Sequence, residues 1–314
     1  MTRMTRPHVV REAGLPAAVT IYEVGPRDGL QNEKTTIATR DKVRFVERLI
    51  AAGLGTIEVT SFVRPDWVPQ LADAADVLAE LDLDGPVRMP VLVPNERGLD
   101  RAVEAGVRWI AIFGSATGGL ARANLNRTVE TQFDMFRPVV SRARELGLDV
   151  RAYVSMCFGD PWQGPVETTQ VVDVGKRLFD LGATQLSIGD TIGVATPAHV
   201  TELIGAFGDA GLGPDVLAMH FHDTYGQALS NAYAALRAGV TTFDTSAGGL
   251  GGCPFTPGAT GNLATEDLVW MLEGLGIRTG VDLDRLVETS TWMAGLLDRP
   301  SESRVVRALT APVT

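Results

Sequence analysis

Eight short runs rich in apolar and β-branched residues recur along this chain, each followed by a longer stretch with the spacing of an amphipathic helix. The runs are VTIYEVG (19–25), GTIEVTSF (55–62), VRMPVLV (87–93), RWIAIFGS (108–115), DVRAYVSM (149–156), TQLSIGD (184–190), VLAMHFHD (216–223) and TTFDTSA (241–247). Most are apolar on both faces, the pattern of parallel strands covered by helices. The stretch TRDKVRFVERLIAAG sets Val43, Val46, Leu49 and Ile50 on one helical face and stops at Gly53. Similar ELG, DLG and RAG endings precede later strands, as helix-terminating glycines do. Eight strand–helix units in about 260 residues match the size and rhythm of a (β/α)8 barrel. The rival is a doubly wound open sheet, but the first strand runs into GPRDGLQNE rather than a GxGxxG turn. The pattern therefore predicts an α/β chain: a single-domain (β/α)8 TIM barrel over 19–300, with an extra amphipathic helix at 282–297. An N-terminal extension (1–18) and a C-terminal tail (301–314) flank it.

The chain of 314 residues is 45% hydrophobic, enough for one full core, and 21% charged, with no apolar run long enough to suggest a transmembrane helix. The start, MTRMTRPHVVREAG, is basic but has no apolar stretch, so it reads as a soluble N-terminus and not as a secretory signal. Two cysteines, Cys157 and Cys253, are too few for a disulfide framework, which points to a reducing compartment and a cytoplasmic location. A net charge of −10 argues against nucleic acid or an anionic membrane as partner. It leaves room for a small anionic ligand held by a few local arginines.

In such a barrel, reactive groups project from the C-terminal ends of the strands. Here polar residues collect at those ends: Arg27 and Asp28 after the first strand, Glu58 on the second, Arg151 and Tyr153 on one face of the fifth, Asp190 closing the sixth. The seventh carries His220 and His222, on one face by the two-residue period of a strand, with Met219 and Phe221 opposite. Two imidazoles at that spacing can reach one cation. Asp28 and Asn262 could add a carboxylate and an amide oxygen, although Asn262 could equally cap the helix that starts near Ala264. Nitrogen and oxygen donors without thiolates favour Mg2+ or Mn2+, and a two-histidine, one-carboxylate set could also take Fe(II). The glycine-rich GGLGGCPF after the eighth strand sets Cys253 on a loop that could serve proton transfer; no Gly-Lys-Ser/Thr follows, so it is not a Walker loop.

Five stretches carry a resemblance to a known family: EVGPRDGLQNE (23–33), IEVTSFVRPDWVPQLAD (57–73), LSIGDTIGVATP (186–197), HFHDTYGQALSNA (220–232) and GLGGCPFTPGATGNLATEDLVWMLEGLGI (249–277). In order and spacing, from about residue 19 to about 300, the chain resembles the metal-dependent TIM-barrel lyases of the 3-hydroxy-3-methylglutaryl-CoA (HMG-CoA) lyase family. The resemblance implies cleavage of HMG-CoA to acetoacetate and acetyl-CoA with Mg2+ or Mn2+, and assembly as a homodimer. Carried over by motif, Asp28, His220, His222 and Asn262 match the metal ligands. Arg27 matches the arginine that stabilises the product enolate, Cys253 the catalytic loop cysteine, and Glu23, Glu58 and Asp190 acidic residues of the active site. Phe221 stands where the family often has cysteine. SMCFGDPWQG and SATGGLARANLNR depart from the usual text; these loops are expected to border the acyl-CoA, with Arg122, Asn124 and Arg127 as candidate contacts beside Arg151 and Tyr153.

A retro-aldol cleavage needs the 3-hydroxyl deprotonated, and His220, Asp190 and Glu58 are all candidate bases from the sequence. The alternatives are a related lyase acting on a longer-chain 3-hydroxyglutaryl-CoA and a Claisen-type synthase of the same superfamily, against which Cys253 counts. A non-catalytic metal or acyl-CoA binder is a further alternative, as is a non-haem iron oxygenase. The set Arg27, Asp28, Cys253 and Asn262 argues against the binder, and the β/α alternation argues against the oxygenase.

Overall fold

The structure is a computed structural model that describes residues 4–252 and 261–312. Eight parallel strands form one sheet: β1 (Thr20–Glu23), β2 (Thr60–Ser61), β3 (Val91–Leu92), β4 (Trp109–Ser115), β5 (Asp149–Ser155), β6 (Gln185–Asp190), β7 (Leu217–Phe221) and β8 (Thr242–Thr245). The order around the sheet is β1, β8, β7, β6, β5, β4, β3, β2. Glu23 N–H donates to Thr56 O at 3.0 Å and Glu58 N–H to Glu23 O at 2.8 Å, which joins β1 to the lead-in of β2 and closes the ring. All eight expected strands are present. The second and third are narrow, yet their ladder extends beyond the regular part through Ile57 to Arg88, Val59 to Pro90 and Phe62 to Leu92.

Helices α1 (Thr39–Ala51), α2 (Ala74–Ala79), α3 (Glu96–Glu104), α4 (Gln132–Glu145), α5 (Thr168–Leu181), α6 (Pro197–Asp209), α7 (Ala228–Arg237) and α8 (Thr265–Gly274) follow the strands in turn. On α1 the buried residues are Val43, Phe45, Val46 and Leu49, with Lys42. They pack in a main core with outward-facing strand residues such as Val150, Ala152, Leu186, Ile188, Met219 and Phe221. Alternate strand residues point into the ring; Tyr22, Glu58, Arg151, Tyr153, Ser187, His220 and Asp244 there are polar and buried, beside a smaller apolar group of Leu92, Ala111 and Phe113. The core of the molecule is therefore the annulus between sheet and helices, while the ring itself holds the chemistry.

The expected extra helix is α9 (Leu283–Leu296), capped by the Asp282 carboxylate on Asp284 and Arg285 N–H. The segment read as a C-terminal tail holds one more helix, α10 (Arg304–Thr310), and Ser303 caps it. The N-terminal extension is also docked: Val10 N–H donates to Gly274 O at 2.8 Å, and Glu12 accepts from Arg237 at 2.6 Å. Among the described residues no helix is long and apolar enough to cross a membrane.

Candidate active site

After β1 the backbone makes a single π-turn, Gly25–Gly29, with Asp28 N–H and Gly29 N–H both donating to Val24 O. Such turns recur at functional sites because they re-aim consecutive side chains. This one swings Arg27 and Asp28 over the mouth of the ring. Its last residue must be small: a Cβ on Gly29 would lie 2.7 Å from Ser246 Oγ and 2.9 Å from Leu250 Cβ. The turn is thus pressed against the end of β8, where Asn262 also sits.

Opposite stand His220, on β7, and His222, one residue past its end, with their Nε2 atoms 3.3 Å apart. Asp28 Oδ2 lies 4.0 Å from His220 Nε2, and one donor atom from each of the three residues falls within 4.8 Å of the others. Donors held about 2.1 Å from a common ion stand about 3 Å apart when adjacent, so this spacing suits a cation between them. Asn262 donates Nδ2–H to Asp28 Oδ2 at 2.9 Å and to Leu250 O at 3.0 Å. Its Oδ1 is buried and has no partner among the described residues. Asn262 does not cap α8, whose N-cap is Ala264. A flip of the amide would turn that orphaned oxygen toward the same point, completing a nitrogen–oxygen donor set. The residues present therefore fit a divalent cation.

The surroundings set the charge states. Burial alone would raise the Asp28 carboxyl, but Arg27 and the two imidazoles outweigh it and bring it down to about 2. His220 Nδ1 faces Asp244 Oδ2 at 3.4 Å, a loose contact that favours the proton on Nδ1 and leaves the Nε2 lone pair for a cation. Asp244 is itself fixed by Arg151 (2.5 Å) and Ser187 (2.7 Å). Its burial would raise the carboxyl, yet Arg151 holds it below the usual carboxylate range. Asp244 is the residue that motif reading overlooked. The signal was available, because it faces inward on TTFDTSA by the same parity that picks out His220.

Arg27 donates to Glu58 through Nε and to Asp28 Oδ1 at 2.5 Å, and its guanidinium lies 5.3 Å from the Tyr153 ring centre. Burial would lower it, but the Glu58 and Asp28 carboxylates raise it well above the ordinary value, so it stays cationic. Glu58 is saturated: Tyr22 (2.9 Å) and Tyr153 (2.6 Å) donate to the oxygen that Arg27 leaves. Two other expected acids sit elsewhere. Asp190 shares its strand face with Leu186 and Ile188, and its two oxygens accept Val194 and Ala195 N–H at 2.9 and 3.0 Å. Burial pushes it up to about 6. Glu23 accepts from Gly25 and Ala247 N–H and from Thr265 Oγ1, and burial pushes it up to about 7. Both bracket the loops that frame the site.

Above the triad opens a cleft of about 630 Å³ whose walls include Trp67, Tyr153, Asn124, Arg127 and Gly252. Arg122 lies one step outward, in a shallow bowl shared with Asn126 and Arg127. Arg151 is below the cleft, tied to Asp244 and Gln185. Cys253 falls outside the described residues.

A family model described as HMGL-like matches residues 18–293. The chain belongs to the HMG-CoA lyase family. It is 47% identical over 302 residues to the mitochondrial hydroxymethylglutaryl-CoA lyase of Arabidopsis thaliana, covering 96% of this chain and 64% of that protein's length. The HMG-CoA lyase structure from Bacillus subtilis superposes with a TM-score of 0.91 at 44% identity, covering 95% of this chain and 99% of that one. An HMG-CoA lyase from Acinetobacter baumannii, in complex with coenzyme A and 3-methylmalate, has a TM-score of 0.90 at 33% identity, covering 97% and 100%. The matched range runs from the first strand of the barrel into α9.

Proposed function

We propose that this chain cleaves 3-hydroxy-3-methylglutaryl-CoA to acetoacetate and acetyl-CoA, with Mg2+ or Mn2+ held by Asp28, His220, His222 and Asn262. The convergence of Asp28 and both Nε2 atoms on one point, with the Arg27 cation alongside, carries the reading. Bound there, the cation would make the substrate hydroxyl easier to deprotonate.

The chain's own residues supply the rest. Two of Arg27's N–H groups are used on carboxylates, which leaves further donors for the thioester oxygen as the carbon–carbon bond breaks and enolate charge grows. Glu58 fixes the guanidinium in that orientation, and the two tyrosines fix Glu58. Glu58 is committed to Arg27 and the two tyrosines, whereas each Asp190 oxygen accepts one backbone N–H and keeps a lone pair, so in this reading the hydroxyl proton passes to Asp190 at the end of β6. Cys253 delivers a proton to the departing carbon; its neighbour Gly252 lines the cleft. The acyl-CoA runs outward past Asn124, with its phosphates toward Arg127 and Arg122. The test is acetoacetate release from HMG-CoA. Release that requires added Mg2+ or Mn2+ and stops with chelator is expected; no release with metal present overturns the assignment.

A further inference from the structure

The carbonyl of Gly248, in the turn after β8, accepts three hydrogen bonds from one short segment. Ser301 Oγ donates at 2.9 Å, Glu302 N–H at 3.0 Å and Ser303 N–H at 3.2 Å. The turn is tightly shaped. Gly248 has φ +70°, which favours glycine, and a Cβ there would lie 3.2 Å from Ser301 Oγ and 3.3 Å from Ser290 Cβ. The same turn holds the backbone on either side of Asn262: Ser246 N–H donates to Leu263 O at 3.0 Å, and a Cβ on Gly261 would collide with Gly249 O. The same segment also holds Asp267, on the helix that follows Asn262. Asp267 accepts from Ser303 Oγ (2.6 Å), Arg304 N–H (3.1 Å) and Val305 N–H (2.9 Å). Arg304 then reaches Asp223 at 2.7 Å, directly after His222, and Asp223 N–H donates to Gly261 O. A small cavity of about 70 Å³ behind the ligand is lined by Asn262, Asp223 and Asp267 together with Glu302 and Arg304.

We propose that the segment Ser301–Arg304, which belongs to no strand–helix unit of the barrel, is a positioning element for the metal centre. It clamps the turn that orients Asn262 and the residue that follows His222. Its groups touch neither cation nor substrate. They act by holding ligands that each hang on loops between barrel elements, where small displacements would otherwise be cheap. The inference rests on the metal-centre reading above.

The test uses the full chain. Mn2+ binding by calorimetry, steady-state kinetics and melting of the metal-free protein are compared for the wild type, Ser301→Ala/Arg304→Gln, and the control Arg307→Gln on the exposed side of α10. The double variant is expected to bind Mn2+ about tenfold more weakly, with a lower kcat and a KM within about twofold. Ser301→Thr/Arg304→Lys, which keeps a hydroxyl and a cation, is expected to restore most of the affinity. Mn2+ affinity and kcat equal to wild type in the double variant overturn the proposal, as does an equal loss in Arg307→Gln. A wild type that binds no Mn2+ overturns the metal-centre reading and this inference together. Should the double variant fail to fold, Arg304→Gln alone is read against the same outcomes, since its guanidinium is mostly exposed.

Discussion

Arg27 meets two carboxylates and faces a cleft, and these contacts pull on different parts of its function. Removing its charge takes away the donor proposed for the developing enolate, while Asp28 keeps its place in the π-turn through its N–H bond to Val24 O. Arg27→Gln is therefore expected to lower kcat by about 10²–10³, with Mn2+ affinity changed far less; parallel kinetics and calorimetry would separate the two. Asp244 predicts the opposite division. Asp244→Asn weakens the partner of His220 Nδ1 and strands Arg151, so Mn2+ affinity should fall about 10–100-fold, read by the same titration. His220 and His222 could be found from sequence because strand parity alone puts them on one face. Parity also sets Asp190 with Leu186 and Ile188, on the face of β6 turned from the ring interior. Which donors saturate Glu58 is a matter of three strands meeting across the ring, and no local pattern in the chain encodes that.

At the scale of elements, the strands and most helices were legible because each has a strong period and a glycine stop. The ends of the chain were not. Segment 301–314 is too short to announce a helix; α10 exists because Asp267, far away in sequence, satisfies its first N–H groups. The loop after β4 was legible only as a departure from family text. It forms a second π-turn, Ala121–Leu125, ending at Asn126 in the left-handed region (φ 51°), and so brings Asn124 and Arg127 to the cleft. Replacing both rim arginines, Arg122→Gln and Arg127→Gln, should raise KM for the acyl-CoA about tenfold and steepen nothing in kcat, because they lie beyond the reacting atoms. Initial rates at graded substrate would show it, and an unchanged KM would remove these residues from the substrate path.

For the whole molecule, acidity is stored in buried carboxyls. Glu266 is pushed by burial up to about 8, Glu23 to about 7 and Asp190 to about 6. Unfolding returns each to its ordinary range, so between pH 4.5 and about 8 the folded chain holds protons that the unfolded chain releases. Stability must then fall as pH rises through that window, by up to about 1.4 kcal/mol per pH unit for each group still protonated. Asp28 and Asp244, held low, act in the other direction and lose their contribution only in acid. Glu266→Gln imitates the neutral carboxyl, which accepts from Gly248 N–H and Ser290. Its melting temperature should decline less between pH 6 and 8 than that of the wild type, as followed by circular dichroism. The ring has one more implication, for biosynthesis. Thr20 through Glu23 pair with Thr242 through Thr245, so one edge of the earliest strand waits for the last to leave the ribosome. Nascent chains shorter than about 245 residues carry that open edge through most of translation, and polypeptides released before that point should aggregate where the 314-residue chain does not.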